Sequence, residues 1–251
     1  MEMFNFSGAS AVPSRSLLDF TPLSAPQKRH ITKIYAALTV NVLLTALGVY
    51  VHLNWLRVPT VLPLILSVGC VLGLNFSSQK AHAESKMLTR DRALMFGGFG
   101  FLNGMLIANY LHAVHFYVGP RVVPAAFFAS VAVFSCLSAA ALLAKQRSYL
   151  YLGAILSSVL GYFMLASFVN IFWKTQLLTD ILLWGGLFMY LGFVVYDTQL
   201  AVAQFDRGNR DYLVHALQFY VNFVSVFLRL VAILSDRQEE SNRRKRDGRD
   251  H

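Results

Sequence analysis

Six polar side chains recur near the C-terminal end of the chain, at alternating spacings of four and three residues within an otherwise apolar stretch. They are Asp211, His215, Gln218, Asn222, Ser225 and Arg229. An α-helix turns about 100° per residue, so all six fall on an arc of roughly 80°. A narrow polar row of this kind could line a hydrated pathway or gate for ions.

Two other interpretations of this row must be weighed against an ion pathway. The side chains could form hydrogen bonds between helices, or the segment could lie flat at a membrane surface. Interfacial helices usually carry a broad Lys-rich face, and this row is narrow and mostly neutral, which disfavours the third interpretation. A charge at mid-bilayer costs about 2.5–3.5 kcal/mol on insertion scales, so the row should face the bundle centre or a wet cavity.

Asp197 is the second candidate for chemistry, and it follows the preceding apolar run within Tyr196-Asp197-Thr198-Gln199. A carboxylate there could take up a proton or contact a calcium ion transiently. The alternative is an aspartate at a helix end, wetted by lipid headgroups. Asp197 has no obvious acidic partner, which also disfavours a hydrolytic site.

The chain shows no signature of a soluble enzyme, since it has neither a Gly-rich phosphate loop nor a nucleophile elbow. We therefore expect no catalytic residues and no cofactor. The net charge of +9 does not indicate nucleic-acid binding, because Lys and Arg lie between apolar runs and in the C-terminal tail.

The elements that must position these residues are membrane helices. Of the 251 residues 56% are hydrophobic and only 14% are charged, whereas soluble domains carry about 25% charge. Seven runs are long and apolar enough to cross a bilayer, namely 34–51, 58–79, 93–120, 122–144, 148–173, 181–196 and 212–228. We expect the third helix to end near Leu111 and the last to continue to Leu234. The pattern predicts an all-α integral membrane protein of about seven transmembrane helices, with the C-terminal helix central.

Three segments follow from this pattern: a polar N-terminal arm over 1–29, a membrane domain over 30–235 and a basic tail over 236–251.

Alternate links between the apolar runs are rich in Lys and Arg. The basic residues in these links are Lys28, Arg29, Lys33, Lys80, Lys86, Arg90, Arg92, Lys145, Arg147, Arg207 and Arg210. The other links hold only Arg57, Arg121 and Lys174. This asymmetry predicts a cytoplasmic N-terminus. The basic tail conflicts with seven full crossings, so the last segment either crosses or enters and returns.

Small residues at four-residue spacing indicate close helix packing in lipid. One such ladder contains Gly153, Ser157 and Gly161, and another contains Gly97, Gly100 and Gly104. We expect both ladders to serve packing alone.

Several of these motifs resemble the Bax inhibitor-1 family. The matching segments are GFVVYDTQ at 192–199, GNRDY at 208–212, HAL at 215–217, residues 223–229 and IL at 233–234. HITKIY at 30–35 and ALLA at 141–144 followed by YLYLG at 149–153 match as well. The resemblance covers about residues 28–236.

The resemblance implies a seven-helix fold in the endoplasmic-reticulum membrane, a pH-responsive calcium leak and suppression of apoptosis. The partners it implies are the lipid bilayer, calcium ions, Bcl-2-family proteins and calcium-release receptors. The alternative is a non-conducting paralogue that acts as a membrane scaffold for Bcl-2-type or calcium-receptor partners.

The chain departs from the family pattern at positions that matter for the leak. Family members with the pH-sensitive pore carry two facing aspartates, and the resemblance matches the first to Asp197 and the second to Asn222. Gln218 stands at a third position that is often acidic, and Ala108-Asn109 replaces a Gly-Pro. An amide can bind a carboxylate or a cation but cannot titrate, so we expect pH gating to be weakened.

Overall fold

A computed structural model describes residues 23–84, 90–143 and 152–247 as helices joined by short links. The helices are α1 (Ala25–Asn54), α2 (Val61–Glu84), α3 (Arg90–Ala113), α4 (Val122–Leu143), α5 (Leu152–Trp173), α6 (Gln176–Asp206) and α7 (Tyr212–Asp247). A π-helical turn, Val114–Val118, follows α3, which ends close to the predicted Leu111. Most of the predicted N-terminal arm, Lys86, Lys145 and Arg147 of the basic links, the motif residues at 144 and 149–151, and residues 248–251 lie outside these ranges.

The predicted fold class, an all-α integral membrane protein, is confirmed. Within the described ranges, six helices are long and apolar enough to cross a membrane. They are α1, α3 with its π turn, α4, α5, α6 and α7. The apolar part of α2, Val61–Ser77, is shorter.

α7 is the central helix, as the polar row predicts. Half of its most apolar 18-residue window is buried inside the bundle, against 28% or less for the other five spans. It packs against α1, α2, α4, α6 and the π turn. α5 is the opposite case, because only 11% of its window is buried and its main neighbour is α6.

Two helices extend further than the apolar runs indicate. α6 runs on from Asp197 to Asp206, and Asp197 is only 7% exposed. The interpretation of Asp197 as an aspartate at a helix end is therefore wrong. α7 is continuous over 36 residues, about 54 Å at 1.5 Å per residue, so it is long enough to cross a membrane and has no break at which to turn back.

The two small-residue ladders behave differently. On α3, Gly100 lies against Asn41, and Gly104 lies against the carbonyl of Thr45, so α1 and α3 approach backbone to backbone. In the ladder on α5 only Gly153 is buried, beneath the ring of Tyr196. The other two members of that ladder, at 157 and 161, are exposed, and the prediction that they pack is wrong because α5 lies at the edge of the bundle.

Candidate ion pathway along the central helix

The link between α6 and α7 sets the start of the polar row. Gly208 has a φ of 90°, a left-handed conformation that glycine adopts without strain. Asn209 then donates a hydrogen bond from Nδ2 to Oε1 of Gln204 at 2.8 Å and accepts one at Oδ1 from the backbone N–H of Asp211 at 3.1 Å. Asp211 is thereby placed immediately before the first residue of α7, at the head of the row.

The centre of the row is a contact between α6 and α7. Nδ2 of Asn222 donates a hydrogen bond to Oδ2 of Asp197 at 2.7 Å. Asp197 is 7% exposed and Asn222 is 5% exposed, so this amide–carboxylate pair is almost closed to water. A buried hydrogen bond to a charged group contributes about 1.5–3 kcal/mol, which is enough to hold the two helices together locally.

Of the two residues that follow Asp197, one bonds within α6 and the other connects α6 to α4. Thr198 donates back to the carbonyl of Val194 at 2.6 Å, which satisfies a fully buried hydroxyl. Nε2 of Gln199 donates to the carbonyl of Ala141 on α4 at 3.1 Å. Asp197 is therefore held on a helix that is anchored on two sides.

His215, Gln218 and Ser225 occupy the same face of α7. His215 is 2% exposed, and its Nδ1 lies 3.3 Å from Oε1 of Gln218, which is half-buried. Ser225 is also half-buried, and its backbone carbonyl accepts a hydrogen bond from Nη1 of Arg229 at 3.2 Å. The structure thus places the predicted row inside the bundle, and its role in ion passage stays a prediction.

Arg229 ends the row in an unusual environment for a cation. Its guanidinium lies over the ring of Tyr190, 4.5 Å from the centroid, and against Gly186. Among the residues that the structure describes, no carboxylate lies within ion-pair distance of it. Its buried Nε also has no hydrogen-bond partner there. A positive charge at this point would repel any cation that approached along the row.

The main feature that sequence reasoning missed is a buried ion pair at the head of the row. Nη2 of Arg92 lies 2.5 Å from Oδ2 of Asp211, and the two side chains are 2% and 1% exposed. Nε of Arg92 also donates to Oγ of Ser77 at 3.2 Å. Arg92, counted from the sequence only among the basic residues of the links, therefore also forms a buried ion pair. A signal existed, because a carboxylate at the head of a buried row requires a cationic partner.

A second missed feature lies between α1, α3 and α7. Oγ1 of Thr45 lies 2.6 Å from the hydroxyl of Tyr220 and 3.0 Å from the carbonyl of Gly100. Neither residue stands out in an apolar run, since threonine and tyrosine are common there. This contact joins the central helix to the tight α1–α3 seam.

The row could contact a metal ion only weakly. Among the described residues, no group of three or more His, Cys, Asp or Glu side chains could hold one. A cation at Asp197 would take further ligands from water and from neutral oxygens such as that of Asn222. This donor set fits an ion in transit better than a resident one.

Together, the fold and the row define a polytopic α-helical membrane protein whose central helix carries buried polar and charged groups. Residues 27–239 match the family described as inhibitor of apoptosis-promoting Bax1, and the chain belongs to this Bax inhibitor-1 family. It is 30% identical to Bax inhibitor 1 of Homo sapiens over 231 residues, covering 92% of this chain and 95% of the relative. It is 31% identical to Bax inhibitor 1 of Arabidopsis thaliana over 220 residues, covering 87% and 85%. The relative of the same name in Drosophila melanogaster is 31% identical over 222 residues, 88% of each chain.

Proposed function

We propose that this protein regulates calcium leak across the endoplasmic-reticulum membrane and suppresses apoptosis. The observation that carries the proposal is the buried contact between Asp197 and Asn222, which joins the central helix to α6. The relatives named Bax inhibitor 1 and the family description support the role in apoptosis.

The proposed pathway is closed in the conformation described above. Asp197, Asn222, His215 and Asp211 are each at most 7% exposed, so water and ions have little access to them. Passage requires α6 and α7 to separate at the Asp197–Asn222 contact. One charge-assisted hydrogen bond costs about 1.5–3 kcal/mol to break, an amount within reach of a rare opening.

We propose further that pH gating is weakened. Two facing carboxylates can share one proton, and their protonation state then controls how they repel. Asn222 cannot take part in such a titration, since an amide has no ionised form near neutral pH. One carboxylate alone leaves a shallower response.

The proposed orientation has the N-terminus in the cytoplasm, as the charges of the links indicate. If all seven helices cross, the C-terminal end of α7 then lies on the luminal side; if only the six longer apolar spans of the described ranges cross, it lies in the cytoplasm. The proposed partners are calcium ions, Bcl-2-family proteins and calcium-release receptors.

A second candidate function is a non-conducting membrane scaffold for the same partners. The observation that favours it is Arg229, a guanidinium in the row without a carboxylate partner among the described residues. Its charge opposes calcium passage unless the side chain moves aside.

Calcium flux from liposomes separates the two functions. We expect the wild type to leak calcium with a shallow dependence between pH 6 and pH 8. Asp197→Asn should change the leak, and Asn222→Asp should steepen the pH response. The control is Asp180→Asn, the same substitution at an exposed carboxylate on α6, which should leave the flux unchanged.

Cell measurements complete the test. A conducting protein predicts that Asp197→Asn alters reticulum calcium. A scaffold predicts that Asp197→Asn is silent, while removal of residues 238–251 abolishes protection from apoptosis. A steep pH response in the wild-type protein would overturn the proposal of weakened gating.

A further inference from the structure

A groove of about 450 Å³ opens at the end of the bundle where α1 begins, α6 ends and α7 begins. Its walls include Arg29, His30, Lys33, Phe205, Arg210 and Tyr212. None of the six belongs to the row that carries the proposed ion pathway.

The groove is strongly positive. Arg29, Lys33 and Arg210 are exposed, and the described residues that line the groove include no carboxylate. Of the nearby carboxylates, Asp211 pairs with Arg92, and Asp206 keeps its charge while it accepts a hydrogen bond from the neutral amide of Gln27 at 2.7 Å, so one carboxylate stands against three cations. The three cations therefore act together on whatever enters the groove.

Two aromatic rings hold two of these cations in place. Nζ of Lys33 lies 5.8 Å from the centroid of the Tyr212 ring, and the guanidinium of Arg210 lies 5.8 Å from that of Phe205. Cation–π contacts of this kind orient a flexible side chain without neutralising its charge. The positive groups are thus partly ordered before any ligand binds.

His30 supplies an independent sign of a ligand. The side chain is 5% exposed, and its buried Nε2 has no hydrogen-bond partner among the described residues. Buried polar atoms are nearly always satisfied by protein, water or a bound group. His30 lines the groove, but its Nε2 is closed to solvent and its ring packs edge-on against that of His215, 5.9 Å away between centroids, so an oxygen-rich anion must displace the ring to accept a hydrogen bond from this imidazole.

The position of the groove identifies the source of the anion. The charge-free stretch of α1 begins at Ile34, directly after Lys33, and that of α7 begins at Tyr212. The groove therefore lies where the spans leave the hydrocarbon, at the level of the lipid headgroups. Basic pockets between transmembrane helices at this level bind anionic headgroups.

We propose that this groove binds the phosphomonoester headgroup of an anionic phospholipid. Three cations and one imidazole match a doubly charged phosphate with three free oxygens better than a singly charged phosphodiester. The bound headgroup bridges the start of α1 and the α6–α7 link, so it holds together the end of the bundle that carries Asp211.

The test uses the full chain in nanodiscs of neutral phosphatidylcholine. Dioctanoyl phosphatidylinositol 4-phosphate is titrated, and bound lipid is counted by native mass spectrometry. We expect one lipid per chain. Replacing Arg29, Lys33 and Arg210 together by Gln should weaken binding about 100-fold, since each cation contributes roughly a fivefold factor.

The matched control removes three exposed cations from the links at the opposite end, through Arg57→Gln, Arg121→Gln and Lys174→Gln. This control should bind as the wild type does. If the triple groove variant does not fold, Arg210→Gln alone should still weaken binding roughly fivefold. Equal losses in the groove and control variants would overturn the proposal, because they indicate nonspecific charge attraction.

His30 distinguishes a built site from a charged surface. His30→Ala should weaken binding about tenfold, whereas His30→Gln, which keeps a donor, should retain most of it. No change in His30→Ala would overturn the proposed site. Complete competition by millimolar inorganic phosphate would overturn the lipid as occupant, because it would show a site for free phosphate.

Discussion

The two ends of the polar row on α7 hold charges in opposite ways. At one end Asp211 is buried with Arg92, at 2.5 Å, and Arg92 also donates to Ser77. At the other end Arg229 has an aromatic ring, a backbone carbonyl and a glycine as neighbours, and no carboxylate among the described residues. The charge at the first end is paired with an opposite charge, and the charge at the second end is not.

From this difference we expect the two ends of the row to have different roles. A compensated buried pair fixes the arrangement of helices and gives ions no free group to contact, so the structural interpretation fits the Asp211 end. Neither Asp197 nor Arg229 has a partner of opposite charge among the described residues. The part of the row from Asn222 to Arg229 is therefore where a pathway could open or be blocked.

The largest expected loss of stability comes from breaking the ion pair at the Asp211 end of the row. Arg92→Leu should destabilise the protein by about 3–5 kcal/mol, because it leaves the Asp211 carboxylate buried without its cation. Unfolding in detergent micelles, followed by circular dichroism, measures this. The control is Arg90→Leu, an exposed arginine one half-turn earlier on the same helix, which should change stability by less than about 0.5 kcal/mol.

A double variant sharpens this result. Arg92→Leu combined with Asp211→Leu should recover most of the lost stability, since replacing both partners of a buried pair is often neutral. If the double variant is as unstable as the single one, the ion pair is not the cause, and the contrast between the two ends disappears.

The membrane helices and the inward face of α7 could be predicted because lipid imposes local rules. A helix that satisfies its own backbone needs only a long apolar run, and a narrow polar row must turn away from lipid. These rules act within one segment. They locate Asn222 on the inner face without reference to any other helix.

The partner of Asp211 could not be predicted in the same way. Arg92 is 119 positions away and stands among other basic link residues, so nothing local distinguishes it from Arg90.

The end of α6 was missed for a different reason. The segment after Asp197 contains no glycine or proline until Gly208, so the helix continues although the apolar run has ended.

The face that a ladder of small residues presents also depends on packing. Gly100 and Gly161 lie in similar ladders, yet Gly100 lies against α1, whereas a Cβ added to Gly161 would meet no atom of another helix within 4 Å. The spacing of small residues identifies a ladder, but it does not show which helix packs against it.

A smaller loss of stability is expected at Gly186, against which the Arg229 side chain lies. A Cβ on Gly186 would lie 2.5 Å from Nε of Arg229, so Gly186→Ala must push the guanidinium off the Tyr190 ring. The side chain is flexible and can give way, so the cost should be about 1 kcal/mol, at the low end for overpacking. Gly161→Ala is the control, because nothing lies within 4 Å and alanine favours the helix. A loss in the control as large as that in Gly186→Ala would contradict this account.

The smallest effect on stability is expected from Arg229→Met. Methionine fills similar space, and no described carboxylate is left without its cation, so stability should change by no more than about 1 kcal/mol, mainly the lost contact with Tyr190. Calcium flux from liposomes should nevertheless rise, because the charge that opposes cations has gone. A loss of 3 kcal/mol or more would show that Arg229 is held as firmly as Arg92, and the two ends of the row would then be alike. Unchanged flux together with unchanged stability would favour the scaffold, since a cation that blocks nothing cannot lie on a conducting path.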